Sequence, residues 1–117
     1  MQDFPAFLKS PSNRIDVSSQ FTEDVEGYVF DGKDGSQVAF WTAHRDRSSK
    51  PHAHDFDEYV FVIAGSCAIH IDGRRAELRA GDEFFVPKGT PQSMDVTAGT
   101  RTVHVFGGKR ARRESET

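Results

Sequence analysis

The chain reads as an all-β sandwich or barrel, and three observations predict it. Its apolar and aromatic residues gather in short runs rather than in stretches of helical period. Turn-forming pairs, among them Gly65-Ser66 and Asp72-Gly73, separate those runs at short intervals. No window of about 12 residues combines helical spacing with caps at both ends. Many short strands joined by regular turns describe a sandwich or a barrel.

Taken in order, residues 1–36 hold an N-terminal arm and the first strand or strands. The opening 14 residues carry Pro5 and Pro11 and read as an extended arm anchored by Phe4, Phe7 and Leu8. The barrel proper runs over 37–107. Gln37–His44 is rich in aromatic and β-branched residues and predicts a strand. Glu58–Gly65 is apolar at almost every position, which predicts a strand covered on both faces. Gly65-Ser66 then reads as a hairpin turn into "CAIHI", and Asp72-Gly73 as a second hairpin turn into "RRAELRAGD". Asp82–Pro87 is a short strand stopped by Pro87 and Gly89. "QSMDV" and "RTVHVF" read as the last pair, joined by "TAGT". The basic run Lys109–Arg113, followed by "ESET", reads as a charged flexible tail over 108–117.

Composition narrows the function classes. At 117 residues the chain is one domain. A formal net charge of −3 gives no electrostatic case for nucleic-acid binding. Lone Cys67 excludes an internal disulfide and a multi-cysteine zinc site, and fits a reducing compartment. With no membrane-length apolar run and no signal-peptide core, the expected location is cytoplasmic.

One stretch carries chemistry. In "PHAHDFDEYVFVIAG" two histidines, His52 and His54, stand one residue apart and Glu58 follows four residues later. Residues i and i+2 of a strand share a face, so both imidazoles can enter one cavity. On an unbroken strand Glu58 would lie roughly 13 Å beyond His54. The turn-forming "DFD" removes that separation by folding the chain back, so that Glu58 opens the next, antiparallel strand. Two imidazoles and a carboxylate form a ligand set that leaves coordination positions open.

With its spacing, this pattern resembles the cupin superfamily. His52, His54, Glu58 and Gly65 match the first cupin motif, with Asp46 where its opening glycine belongs. Gly81, Pro87 and Gly89 match the second motif, 15 residues on. There Gln92 stands where the family has its last metal-ligating histidine, and Val96 where it has an asparagine. The resemblance spans about residues 37–107. It implies a double-stranded β-helix, a small jelly-roll barrel, with a divalent iron, manganese, nickel, copper or zinc ion held inside one end. The metal set it implies is His52, His54, Glu58 and Gln92.

Gln92 leaves three readings open: a labile fourth ligand, a hydrogen-bond partner of substrate or metal-bound water, or the mark of a lost centre. The second would leave a facial triad like that of non-haem Fe(II) oxygenases. His104 shares a strand face with Thr102 and Phe106, so it points inward if Phe106 is core, as ligand or as substrate-facing group. His70 faces away from Cys67, Ile69 and Ile71. Glu58 inward takes Val60 and Val62 inward with it, and the expected pocket adds Phe40, Met94, Val96 and His104. Such a lining suits a small, partly apolar organic molecule, or a modest sugar or organic acid. Tyr59, Phe61 and Ile63 then face outward as an apolar row, which predicts cover by the arm or by a second subunit and so a homodimer. Two function classes follow: a metal-dependent enzyme of dioxygenase or isomerase/lyase type, and a non-catalytic small-molecule binder. Neither involves a membrane.

Overall fold

The structure, a computed structural model, describes residues 3–116. Strands alternate side chains between two faces, and here one face of each of two sheets is buried against the other. The larger sheet has the order β1-β2-β9-β4-β7, with β1 Val25–Asp31, β2 Gln37–Ala43, β4 Glu58–Ala64, β7 Glu83–Val86 and β9 Arg101–Phe106. The smaller has the order β3-β8-β5-β6, with β3 Arg47–Ser48, β5 Ser66–Ile71, β6 Arg74–Arg79 and β8 Gln92–Val96. Every pairing between these strands is antiparallel. This is the expected jelly-roll barrel.

Asp72-Gly73 is a hairpin turn as expected: both residues have positive φ, 52° and 71°, and β5 pairs with β6 across them. Gly65-Ser66 and "TAGT" are not hairpins. Gly65 alone carries the chain from β4 in one sheet to β5 in the other, and residues 97–100 carry it from β8 to β9. The two crossings are tied together, because the Thr100 hydroxyl donates to Ser66 O at 2.9 Å. A Cβ on Gly65 would stand 2.7 Å from Thr100 Cα, and its φ of 81° already favours glycine. Sequence spacing cannot tell a hairpin from such a corner, since both need a tight turn between extended runs.

Strand β4 is buried on one face only. Glu58, Val60 and Val62 are buried, whereas Ile63 on the other face is 43% exposed. The arm does not cover that outer row. Instead of lying extended it winds into short 3-10 turns, Ala6–Lys9, Pro11–Asn13 and Val17–Ser19. Phe4 is its buried anchor, packed edge-on against Phe40 at 5.5 Å, while Phe7 is exposed.

The C-terminal segment is packed rather than frayed. Gln37, 1% exposed, accepts from the backbone N–H groups of Arg110 and Ala111 at 2.7 and 2.8 Å and donates to Asp31 at 2.9 Å. Ala111 is buried beside Ile15, Val29, Ala39 and Phe106. Arg113 donates to Val29 O and Asn13 and pairs with Asp31. Arg112 and Arg113 of the basic run are thus spent on contacts with acidic and carbonyl groups far away in sequence.

Candidate metal centre and pocket

The two halves of the HxHxxxE stretch belong to opposite sheets. His52 lies on the edge of the smaller sheet, exchanging backbone hydrogen bonds of 2.9 and 2.8 Å with Gln92. Residues 55–57 then cross the barrel end, held by a 2.8 Å bond from the Lys88 N–H to the Asp57 carboxylate. Glu58 therefore opens β4 in the larger sheet, not a strand adjacent to the histidines. The turn residues bring it back to them as expected, by crossing the barrel instead of by pairing.

His52, His54, Glu58, Gln92 and His104 all line one cavity with about 700 Å³ of space free of protein atoms, part of it open to solvent. The His52 and His54 rings are 4.7 Å apart. His52 Nδ1 is 2.7 Å from the Lys50 carbonyl, an acceptor only, so that nitrogen carries the proton and Nε2 presents a lone pair. The Gln92 amide nitrogen, 2.9 Å away, donates to it. His104 Nδ1 stands 2.7 Å from one Glu58 oxygen, Oε2. The other, Oε1, is buried and accepts no hydrogen bond, although His54 Nε2 is only 3.4 Å away.

Electrostatics keeps the donors in ligand form. Burial pushes the His54 imidazole down to about 4 and lowers His52 as well, so both are neutral near pH 7. The short His54–Glu58 approach is therefore not an ion pair at that pH. Burial alone would raise the Glu58 carboxyl. The hydrogen bond from His104, helped by nearby positive charge such as that of Arg110, outweighs that and holds it below the usual glutamate value. Among the described residues no three His, Cys, Asp or Glu side chains are gathered into an ion-holding group. The donors are instead drawn into two couples, His52 with Gln92 and His104 with Glu58. Two neutral imidazoles and a carboxylate oxygen that lacks a partner nevertheless fit a divalent cation in donor chemistry.

Met94, Val96 and His104 also line the cavity. Val60 and Val62 point inward but belong to the packed core, fully enclosed among Cys67, Ile69, Ile71, Leu78 and Val86. Phe40 is on the outside. It pairs with Val103 in register, and packs against Phe4 and Phe30. Its neighbour Trp41 faces the cavity instead. An apolar run gives no parity of its own, so the face of β2 is set only by its register with β9, where Ala39 lies opposite His104.

Three aromatic or charged residues of the site had no local signal. Phe21 stacks on His52 with centroids 4.1 Å apart, and Phe56 stacks on His54 at 5.0 Å. The Arg110 guanidinium lies 4.8 Å over the Phe21 ring. His70 and His44 lie elsewhere, hydrogen-bonded to Asp95 and Glu26, each at 2.8 Å.

Comparison with known proteins agrees with this architecture. The cupin-domain family model matches residues 39–108. Over 58 residues, 46% of this chain and 32% of the relative, the sequence is 41% identical to acireductone dioxygenase of Gluconacetobacter diazotrophicus. Over 101 residues, 86% of this chain and 64% of the relative, it is 24% identical to acetate kinase EutQ of Clostridioides difficile. The chain thus spans 32% of the first of these curated relatives and 64% of the second. In fold it resembles the polyketide cyclase RemF from Streptomyces resistomycificus, with a TM-score of 0.72 at 19% identity over 97% of this chain and 85% of that one. An RmlC-like cupin from Shewanella frigidimarina matches over the full length of both chains, with a TM-score of 0.71 at 19% identity. No helix among the described residues is long and apolar enough to cross a membrane. Strand order, motif spacing and the family match over more than half of the chain agree, and this protein belongs to the cupin family.

Proposed function

We propose that this cupin is a metal-dependent enzyme acting on a small organic molecule. The observation that carries the reading is Glu58 Oε1, a carboxylate oxygen buried beside two neutral imidazoles with no hydrogen-bond donor of its own. Leaving such an oxygen buried and unpaired is costly, and a cation removes the cost. His52, His54 and Glu58 would hold a divalent ion, whether iron, manganese, nickel, copper or zinc. Gln92 is placed either to add its amide oxygen or to hydrogen-bond what binds there. The bound ion would supply Lewis acidity or oxygen activation.

The chain's own residues divide the remaining work. The Lys50 carbonyl fixes the tautomer of His52, so that Nε2 is the nitrogen offered to the pocket. Stacking by Phe21 and Phe56 holds the planes of the two rings. His104 orients the Glu58 carboxylate through Oε2 and is the group placed to take or give a proton inside the cavity. The local likeness to acireductone dioxygenase supports the oxygenase branch over isomerase or lyase chemistry. Metal content of freshly purified, tag-free protein, measured by plasma mass spectrometry, tests the reading. Near-stoichiometric transition metal, lost in His52→Ala, is the expected result. Protein that contains none and takes up no added Fe(II), Mn(II) or Zn(II) would leave the second reading, a non-catalytic small-molecule binder.

We also propose that the protein works as a homodimer. Tyr59 and Phe61 stack at 4.9 Å on the outer face of β4, and Ile63 and Phe85 beside them are 43% and 49% exposed. The arm packs elsewhere on that sheet, so this apolar surface is left for a second copy. Light scattering checks it, and a monomeric mass would refute it. The enzyme is expected to act in the cytoplasm, without nucleic acid.

A further inference from the structure

Among the side chains that line the cavity, histidines aside, only Glu58 and Arg110 carry a full charge. Their situations are opposite. Glu58 is hydrogen-bonded by His104, whereas the Arg110 guanidinium has no hydrogen-bond or ion-pair partner among the described residues; it feels the Glu58 charge only at longer range and rests on the face of Phe21. It is half-buried, and its position is set from behind. The buried amide of Gln37 accepts the backbone N–H groups of Arg110 and Ala111, which fixes the chain and leaves the Arg110 side chain to reach over the barrel mouth. A partly desolvated guanidinium with no anion in hydrogen-bond reach is costly unless one arrives with the ligand. A second polar group at the same mouth is also unmatched. The Gln20 side-chain oxygen is buried without a hydrogen-bond partner. Trp41, Met94 and Val96 supply an apolar wall between them and the interior.

We infer that Arg110 is the specificity residue of the pocket and selects a small monocarboxylate, whose carboxylate it grips while an apolar body lies on Trp41 and Met94. Gln20 would accept a hydroxyl or N–H on the same molecule. The inference rests on the proposed substrate pocket and names its substrate class. Two coplanar N–H groups of a guanidinium match a carboxylate, and a neutral amide cannot replace that charge. Balance points the same way. A divalent ion on two neutral imidazoles and one carboxylate leaves a net positive site, to which Arg110 adds a further positive charge that a monoanion would offset.

The test uses benzoate, 4-hydroxyphenylacetate and 2-hydroxyisovalerate, each against its own primary amide, by isothermal titration calorimetry on the intact protein. At least one acid should bind about tenfold or more tightly than its amide, as expected for a charge-assisted pair. Because carboxylates also ligate ions, Arg110→Gln carries the decision. It should abolish the acid's advantage, with Arg110→Lys retaining part of it. The side chain makes no hydrogen bond that holds the fold, and circular dichroism of both variants checks that they remain folded. Metal content is measured on the same samples and should be unchanged in Arg110→Gln. Equal binding of acids and amides, failure of all three acids to bind, or an acid preference that survives Arg110→Gln would overturn the inference. A metal-free protein with an Arg110-dependent acid preference would instead sink the metal reading and leave this one standing.

Discussion

The two lateral halves of the barrel are built by the same sheets and differ in what fills them. Between β4 and β7 on one side and β5 and β6 on the other, the space is closed by Val60, Val62, Ile69, Ile71, Leu78 and Val86. Between β2 and β9 and the edge carrying His52 to His54, it is open and holds polar groups among apolar walls. Strand β4 contributes to both, since Glu58 ends in the cavity and Val60 and Val62 in the core. The contrast shows how a small domain carries a site. One half supplies the aliphatic burial that drives folding, and the other leaves imidazole, amide and carboxylate groups partly unmatched, at a cost the first half offsets.

Breaking the closed half should have the largest effect. Ile69 is fully buried, so Ile69→Ala is expected to cost about 2–5 kcal/mol, read from urea unfolding. In the open half, Glu58→Gln keeps the shape and should cost less stability than that. It removes a proposed ligand, so metal affinity should fall by at least the roughly 10- to 100-fold that loss of an outer-shell partner alone produces. A competitive chelator titration measures it, and unchanged affinity would separate Glu58 from the ion.

The packed C-terminal segment comes next. Gln37→Ala leaves the Arg110 and Ala111 N–H groups unpaired, at about 1–3 kcal/mol. Trypsin should then cut the Lys109–Arg113 run faster than it does in the native protein, and an unchanged rate would show that Gln37 does not hold the segment. The smallest effect is expected at Cys67. Burial pushes its thiol up to about 11, so a disulfide reagent at neutral pH should label it only after unfolding. Rapid labelling of native protein would mean that the closed half opens.

Much of this architecture was readable from local pattern. The strands β4, β5, β7, β8 and β9 lie within a residue or so of the runs that announced them, β6 stops at Arg79 short of its expected end, and the Asp72-Gly73 hairpin forms because its residues accept positive φ. His52, His54, Glu58, Gln92, Met94 and His104 meet in one cavity because strand alternation and the spacing of turn residues act over short distances.

What the sequence by itself determined is therefore what depends on near neighbours: strand positions, inward parity where a polar residue marks it, and which imidazole, amide and carboxylate groups share the cavity. The tertiary structure decided the rest. Phe40 faces out and Trp41 in, because pairing with β9 sets the face of an evenly apolar strand. Turns that look like hairpins carry the chain between sheets, because closing a sandwich needs corners. The basic run after β9 packs and delivers Arg110 to the pocket, because its partner Gln37 lies 73 residues away. No periodicity encodes such a contact, since only folding the chain puts its two ends within hydrogen-bond reach.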